Sequence, residues 1–496
     1  MIILFGFILN VISVQIVASS FRHLQGALGA SVDQISYVMS ASLIAEVVII
    51  PFSGWLARLV SPRKLYLFCL SGFLLSSIGC ASTSNFYVMV VFRALQGLTG
   101  GGLMPLMMSS LYLLFNARQI PIALSVMATL GVSSIALGPL LGGWMTETLS
   151  WHWMFLYNIP IGIILLVLAY YFVDLKDHDK SLLKRIDFLG ISFLACGLLL
   201  LLITLEEGSR MDWFKSPLIT SSFILTITSF AFFFVREITT KYPVINLKVF
   251  IDRNFSIGCI NVIIFGITLY VPIFLLPLFL GEIQNLGPLE IGAIVSVMGL
   301  SWMATGPIVG LLINKIGGKI LIFLGCILIG VGTYLQTQIT FEYGFDELFW
   351  PQICRGIGAQ LFWVGNQYLS MLWVPREGVQ NAAAMFNLVL RLGGAVSISM
   401  ANTFLERLQV GFYGHIANSL LSSRQSLINA ESNILGKNNS DIDIGTYSVA
   451  KIAFDGFGER ESFIMALNSI TFISMWAVLI PIILLPFCIV SKNVKN

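Results

Sequence analysis

The sequence predicts an all-α, polytopic membrane protein: two pseudo-symmetric six-helix bundles plus two extra helices, fourteen transmembrane helices in all. Three observations predict it. Of 496 residues, 57% are hydrophobic and only 11% charged, where a soluble chain carries roughly 25% charged residues; mean hydropathy is +0.88. Apolar runs of about 20 residues, enough to cross a bilayer, recur along the whole chain, without the short alternating pattern of a transmembrane barrel. Two short basic turns, 256 residues apart, resemble each other and suggest a duplication.

In order, the expected spans are 2–20, 34–56, 65–84, 86–114, 120–145, 153–173, 187–205, 217–236, 255–280, 290–313, 319–339, 347–372, 381–404 and 463–490. The ninth is long enough to tilt, or to bend at Pro272 and Pro277. Loop charge orients them. With the N-terminus inside, one side collects Arg58, Arg63, Lys64, Arg118, Lys184, Arg236, Lys315 and Lys319, while the short loops opposite hold only Arg22, Arg210 and Lys215. Positive loops stay in the cytoplasm, so both termini are expected there.

The duplication rests on two matches in the same order. "GWLARLVSPRK" from Gly54 and "GLLINKIGGK" from Gly310 each close one span with glycine, cross a basic turn and open the next. Arg93 and Arg355 then fall in the second span after each turn. The expected division is residues 1–174 as an N-terminal six-helix bundle, 175–254 as a linker with an inserted helix pair, and 255–496 as a C-terminal six-helix bundle. Residues 405–462 read as an external loop, partly helical at 416–433 and then flexible. Duplicated bundles with a midplane site between them are a transporter architecture.

Several function classes lose support. The net charge of +3 is small, and nothing points to nucleic acid. Seven cysteines lie in apolar runs without C-x-x-C spacing and read as small buried hydrophobes. Four scattered histidines, at 23, 152, 178 and 415, form no cluster of the kind a membrane enzyme would need. No G-x-x-x-x-G-K-[ST] loop is present, so ATP is not the expected energy source. No cofactor and no metal are expected.

The candidate site residues follow from what each costs in lipid. Glu46 lies about 12 residues into the second span, near the midplane at 1.5 Å per residue, with no other acid at comparable depth. Intramembrane acids mark proton or substrate pathways; the alternative is a structural carboxyl, permanently protonated and hydrogen-bonded. Arg93 stays charged and must find an acid, carbonyls or water, which makes it either a coupling partner of Glu46 or a structural residue. Arg355 and Arg391, in the second half, are expected to be structural, with a place in the substrate cavity wall as the alternative. Gly131, Gly138, Gly142 and Gly143 let another helix approach closely, and Pro139 removes a backbone hydrogen bond; the fifth span is therefore expected to bend and act as a hinge between the halves, or to serve simple tight packing. Gly54, Arg58, Arg63 and Lys64 form a basic turn that either locks a closed state or only sets topology. Trp302, Phe362, Trp363 and Tyr368 are candidates for an apolar cavity wall tolerant of varied shapes.

These residues resemble the major facilitator superfamily, and within it the fourteen-span drug:proton antiporters of the EmrB-like group. The family's loop pattern G-x-L-x-D-r-x-G-r-k is met by Gly54, Leu56 and Arg63, with Arg58 in place of the acid and Ser61 in place of the second glycine. Arg93, Gln96 and Gly97 match the span-4 motif; Gly131, Gly138, Pro139, Gly142 and Gly143 match the antiporter motif G-x(6)-G-P-x-x-G-G. "SWHWMFLYNIPIG" from Ser150 and "NLVLRLGG" from Asn387 resemble the openings of span 6 and of span 13 in the group. The resemblance implies export of amphipathic or hydrophobic compounds in exchange for protons by alternating access, in a bacterial inner membrane, with a periplasmic adaptor protein as partner. It also implies an acid in span 1, where this chain has Asn10, so Glu46 is expected to take over the proton, coupled to Arg93. Two other readings stay open: a dedicated exporter of one endogenous metabolite such as a siderophore, and a non-transporting membrane receptor.

Overall fold

The computed structural model describes residues 2–35, 37–103, 106–107, 110, 120–173, 187–240, 247–374, 379–435 and 444–489. These carry fourteen helices of 14 residues or more: α1 (Ile2–Gln15), α2 (Tyr37–Val60), α3 (Pro62–Ser82), α4 (Phe86–Gly100), α5 (Ile120–Thr148), α6 (Asn158–Phe172), α7 (Phe188–Gly208), α8 (Pro217–Thr239), α9 (Arg253–Leu278), α10 (Pro288–Ile316), α11 (Gly318–Gln336), α12 (Phe345–Met371), α13 (Val379–Leu435) and α14 (Ile444–Ala477). There is no strand among the described residues. Each expected span overlaps one of these helices, though α1 ends at Gln15 and α14 begins at Ile444 and ends at Ala477, and the expected span 86–114 runs on into residues outside the described set. Among the described residues nine segments are long and apolar enough to cross a membrane, and Ile2–Gln15, Tyr37–Ser53 and Phe86–Gly100 are shorter apolar helices. Arg118 and Lys184, and with them the first residues of the expected linker, lie outside the described residues.

Local chemistry starts the helices where the sequence allows it. Asn85 accepts from the amides of Tyr87 and Val88 at 3.0 and 3.2 Å, Asp187 from Gly190 at 3.2 Å, and Asp252 from Phe255 at 2.8 Å. Such caps satisfy amides that have no partner within the first turn. Proline opens α3, α8 and α10, where its missing N–H costs nothing. α9 runs unbroken through Pro272 and Pro277, then widens into a single π-type turn at Phe279–Ile283.

The polar stretch after span 13 differs from expectation. It is helix, not loop: α13 continues from Val379 to Leu435 and α14 begins at Ile444, and the two pack on each other. At 1.5 Å per residue α13 is roughly 85 Å long, against about 30 Å of hydrocarbon. The reason is compositional. Residues 405–435 lack proline and carry six leucines, a good helix former; polarity says that a segment leaves lipid, not that its helix ends. Residues 436–443 lie outside the described set.

One hydrophobic core uses only residues between Ile3 and Val173. A second joins α9 and α11–α13 with Leu194, Leu198 and Leu202 of α7 and with Val47 and Phe52 of α2. Two seams connect the α1–α6 half to the α9–α14 half: α5 lies along α10, and α2 along α13, with α7 touching both members of the second seam. The repeated turns share one backbone geometry. Ser61 (φ 97°, ψ 144°) links α2 to α3, and Gly317 (φ 80°, ψ 162°) links α10 to α11 at the same 256-residue offset.

Candidate functional site

Glu46 is 1% exposed on α2, and its Oε1 accepts from Nη2 of Arg391 on α13 at 2.9 Å. The pair crosses the α2–α13 seam and joins residues 345 apart in sequence. The other carboxylate oxygen, Oε2, is buried with no hydrogen-bond partner among the described residues. Tyr270 of α9 is near enough to interact electrostatically with both charges, and its ring packs where Gly394 leaves room. An acid fully buried in one half and a base in the other that is 17% exposed form an interaction that any parting of this seam must break.

The expected partner of Glu46 is therefore the wrong arginine. Arg93 is fully buried on α4, and its Nε donates to the carbonyl of Val38 at 2.6 Å. Its Nη1 donates to the carbonyl of Ser13 at 3.2 Å and to Gln96 at 2.6 Å. Gln96 donates onward to the hydroxyls of Ser13 and Ser77, which Asn158 also contacts. The knot ties α1, α2, α3, α4 and α6 together, and Glu46 reaches Arg93 only as a more distant electrostatic neighbour. Asn10, at the position of the family's span-1 acid, is buried on α1 against Gly100.

Arg355 occupies the matching place on α12 with less support. Its Nη1 donates to Gln336 at 2.8 Å and Gln352 at 3.2 Å, while Nε and Nη2 have no partner among the described residues. It borders, with Phe265, Thr268 and Met298, a gap too narrow for a water molecule.

The glycines of α5 divide between two neighbours. A side chain at Gly131 would meet the ring of Phe7, at Gly138 Gln15, and at Gly142 the carbonyl oxygen of Ile16. Those three face α1, within the same half. Gly143 alone faces the other half, where a Cβ would strike the carbonyl of Pro288. From the opposite side a Cβ added at Gly292 of α10 would lie 2.7 Å from the carbonyl oxygen of Pro139, and the same carbonyl accepts from Ser19 Oγ at 2.8 Å. Helix α5 runs through Pro139 without a break.

The aromatic candidates gather, but not around an open space. Trp302 and Phe362 are 2% exposed and Trp363 8%. Phe265 stacks on Phe362 at 4.9 Å and lies within 5.8 Å of Trp363, which in turn touches Phe386. Trp302 donates its indole N–H to Gln360. Sequence reasoning missed Phe265 and Phe386, whose positions in apolar runs carry no signal. Tyr368 is half-buried at the edge of this cluster, where it also packs against α10 and α11. In the basic turn Arg63 donates to the carbonyl of Tyr170 and lies 5.5 Å from its ring centre. Lys64 is exposed; Gly54 and Arg58 lie on α2, their side chains outside those described.

Comparison with known proteins fits this architecture. Residues 3–397 match the family model described as Major Facilitator Superfamily. The chain is 34% identical over 406 residues to the colistin resistance protein EmrB of Acinetobacter baumannii, covering 81% of this chain and 79% of that one. It is 29% identical to the multidrug export protein EmrB of Escherichia coli K12, over 76% and 74% of the two chains. The fatty acid resistance protein FarB of Neisseria gonorrhoeae is also 29% identical, over 77% and 75%. Among solved structures, the human organic anion transporter MFSD10 superposes with a TM-score of 0.57 at 12% identity, over 96% of this chain and 98% of that one. The nucleoside transporter NupG gives 0.57 at 13%, over 97% and 99%; both show the fold alone. With fourteen helices in this order, two seams between six-helix halves and a family match over most of its length, the chain is a multi-pass membrane protein that belongs to the major facilitator superfamily.

Proposed function

We propose that this transporter exports amphipathic or hydrophobic compounds in exchange for protons, with Glu46 as the coupled proton site and Arg391 as its partner. The reading is supported above all by the ion pair across the α2–α13 seam. When Glu46 is charged, the pair holds the two halves together. A proton on Glu46 removes the negative partner, loosens the seam and changes the relative free energies of the two access states, the bias a two-state exchanger needs. The unpartnered Oε2 is a position where that proton can sit. Arg93 holds the first half rigid in this scheme, and the aromatic cluster around Phe265 and Trp302 is the wall that opens to substrate. The named resistance exporters among its relatives support a drug-like substrate. The bacterial exporters among its relatives support placement in a bacterial cell membrane, and the charge of the loops supports an orientation with the Ser61 end of the helices inside.

The test is proton release from purified protein in proteoliposomes on addition of compounds from a panel of amphiphiles. Wild type should release protons with a compound it transports; Glu46→Gln should bind the same compound, release none and lose uphill export. Equal release by both proteins would place the coupling site elsewhere.

A further inference from the structure

The inserted pair α7–α8 has no counterpart in either six-helix half, and its contacts give it a task. At the Tyr37 end of the molecule α7 stands between α2 and α13 and bonds to both. Toward α13 there are three links spread over two turns. Ser399 Oγ donates to the carbonyl of Leu205 at 2.5 Å, Ser209 Oγ to Glu406 at 2.6 Å, and Trp213 Nε1 to Thr403 Oγ1 at 3.1 Å. Toward α2, among the described residues, the Tyr37 hydroxyl donates to Glu207 Oε1 at this end. Arg210 braces that link from outside, donating to Glu207 Oε2 at 2.9 Å through Nε and lying 5.7 Å from the Tyr37 ring centre. Deeper in the helix, Leu194, Leu198 and Leu202 join the same apolar cluster as Val47 and Phe52. Apolar contacts of that kind are non-directional and tolerate sliding, whereas a hydrogen bond ends within a few tenths of an ångström.

A helix bonded to both halves cannot keep both sets of bonds if the halves part. The side that gives way is the one held mainly by apolar contacts that can slide, which is the side toward α2. We propose that α7–α8 moves as part of the second half, and that Tyr37 and Glu207 are positioning residues of the transport cycle, making in one access state and breaking in the other the polar contact that closes the α2–α13 seam at this end. Removing the Tyr37 hydroxyl deletes the polar tie to the first half and leaves the ring in place, so the open state gains population. This rests on the alternating-access part of the proposed function and is independent of which residue carries the proton.

The experiment measures two distances by electron paramagnetic resonance in the full chain, in lipid nanodiscs and a background without native cysteines. Spin labels are placed at Ala27→Cys and Phe214→Cys for the first half against the inserted pair, and at Phe214→Cys and Arg407→Cys for the inserted pair against the second half; all three positions are exposed. The expected result is one population for 214–407 in every sample. For 27–214 two populations are expected, the longer rising at least two-fold with Tyr37→Phe and again with Glu207→Gln. A 214–407 distance that splits while 27–214 stays single assigns the pair to the first half and overturns the proposal. So does a 27–214 distribution that neither substitution shifts. Because the readout needs no substrate or proton movement, failure of the Glu46 assignment would leave it standing.

Discussion

The two six-helix halves repeat one backbone plan and fill it with different chemistry. Each turns between its second and third helices through a residue of positive φ, Ser61 in one and Gly317 in the other. Each buries an arginine on its fourth helix, but Arg93 is held by two carbonyls and a glutamine linked to two hydroxyls, and Arg355 by two glutamines only. The acid at midplane depth is in the first half and the base that meets it is in the second. The difference teaches that the two halves share a geometry while their charges differ, so that this ion pair exists only where the halves meet.

The largest expected effects break that complementarity. Glu46→Gln leaves Arg391 without its counter-charge, and Arg391→Gln leaves Glu46 buried and alone. Removing one partner of a buried pair costs about 3–5 kcal/mol. The double variant leaves no stranded charge and should recover most of that loss in a thermal unfolding series, while uphill transport stays absent. If the two single losses simply added in the double variant, the residues would not be acting on each other.

The seam of α5 and α10 works by closeness instead of charge, each half offering a glycine to the other's backbone. Gly143→Leu and Gly292→Leu should each lower transport at least ten-fold at near-normal protein levels. Gly142→Leu, which meets α1 of its own half, should instead impair stability first. Gly330→Leu, with open space around it, is the control that should change neither. Full transport by Gly143→Leu would show that this seam does not need to close as tightly as it does here.

The arginines separate the halves at an intermediate scale. A hydrogen bond to a charged group contributes about 1.5–3 kcal/mol, so Arg93→Leu, which frees two carbonyls and the Gln96 network, should destabilise by about that much or more. Arg355→Leu removes a buried charge that pairs with no acid among the described residues; its effect should stay within about 1 kcal/mol, because apolar replacement of a poorly compensated ion is often neutral. Unfolding midpoints of the two variants in one detergent check the ranking, and an equal loss would mean that Arg355 gains support the contacts do not reveal.

What the sequence made legible, and what it hid, follows the same division. Helix positions came from apolar length, the lone acid from its cost in lipid, and the two matching short turns from the repeat itself, though not their positive φ. Arg391 as the partner of Glu46 was hidden, because a contact over 345 residues leaves no local pattern and Arg93 is nearer in the chain. The long helix α13 was hidden for a different reason: hydropathy reports lipid contact, and helix formation beyond the membrane needs none. The aromatic cluster was half legible, since Trp302 and Trp363 stand out in apolar runs while Phe265 and Phe386 look like any core residue.

The smallest expected effect compares the two turns directly. Ser61 adopts φ 97° and ψ 144°, a region where a side chain costs on the order of 1–3 kcal/mol and where glycine is unstrained. In partial compensation its hydroxyl caps α3 by accepting from the Lys64 amide, but at 3.4 Å, and exchanging a capping serine for glycine loses only a few tenths of a kcal/mol. Strain therefore outweighs the cap, and Ser61→Gly should stabilise the protein by about 1 kcal/mol. Gly317 holds φ 80° and ψ 162° with nothing within reach of an added Cβ, so Gly317→Ser meets no clash and should lose a similar amount through backbone strain alone. Unfolding midpoints of the two variants, recorded side by side, should move in opposite directions. If Ser61→Gly is instead destabilising, the buried hydroxyl contributes more to the turn than its backbone costs, and the first half keeps serine there for the cap.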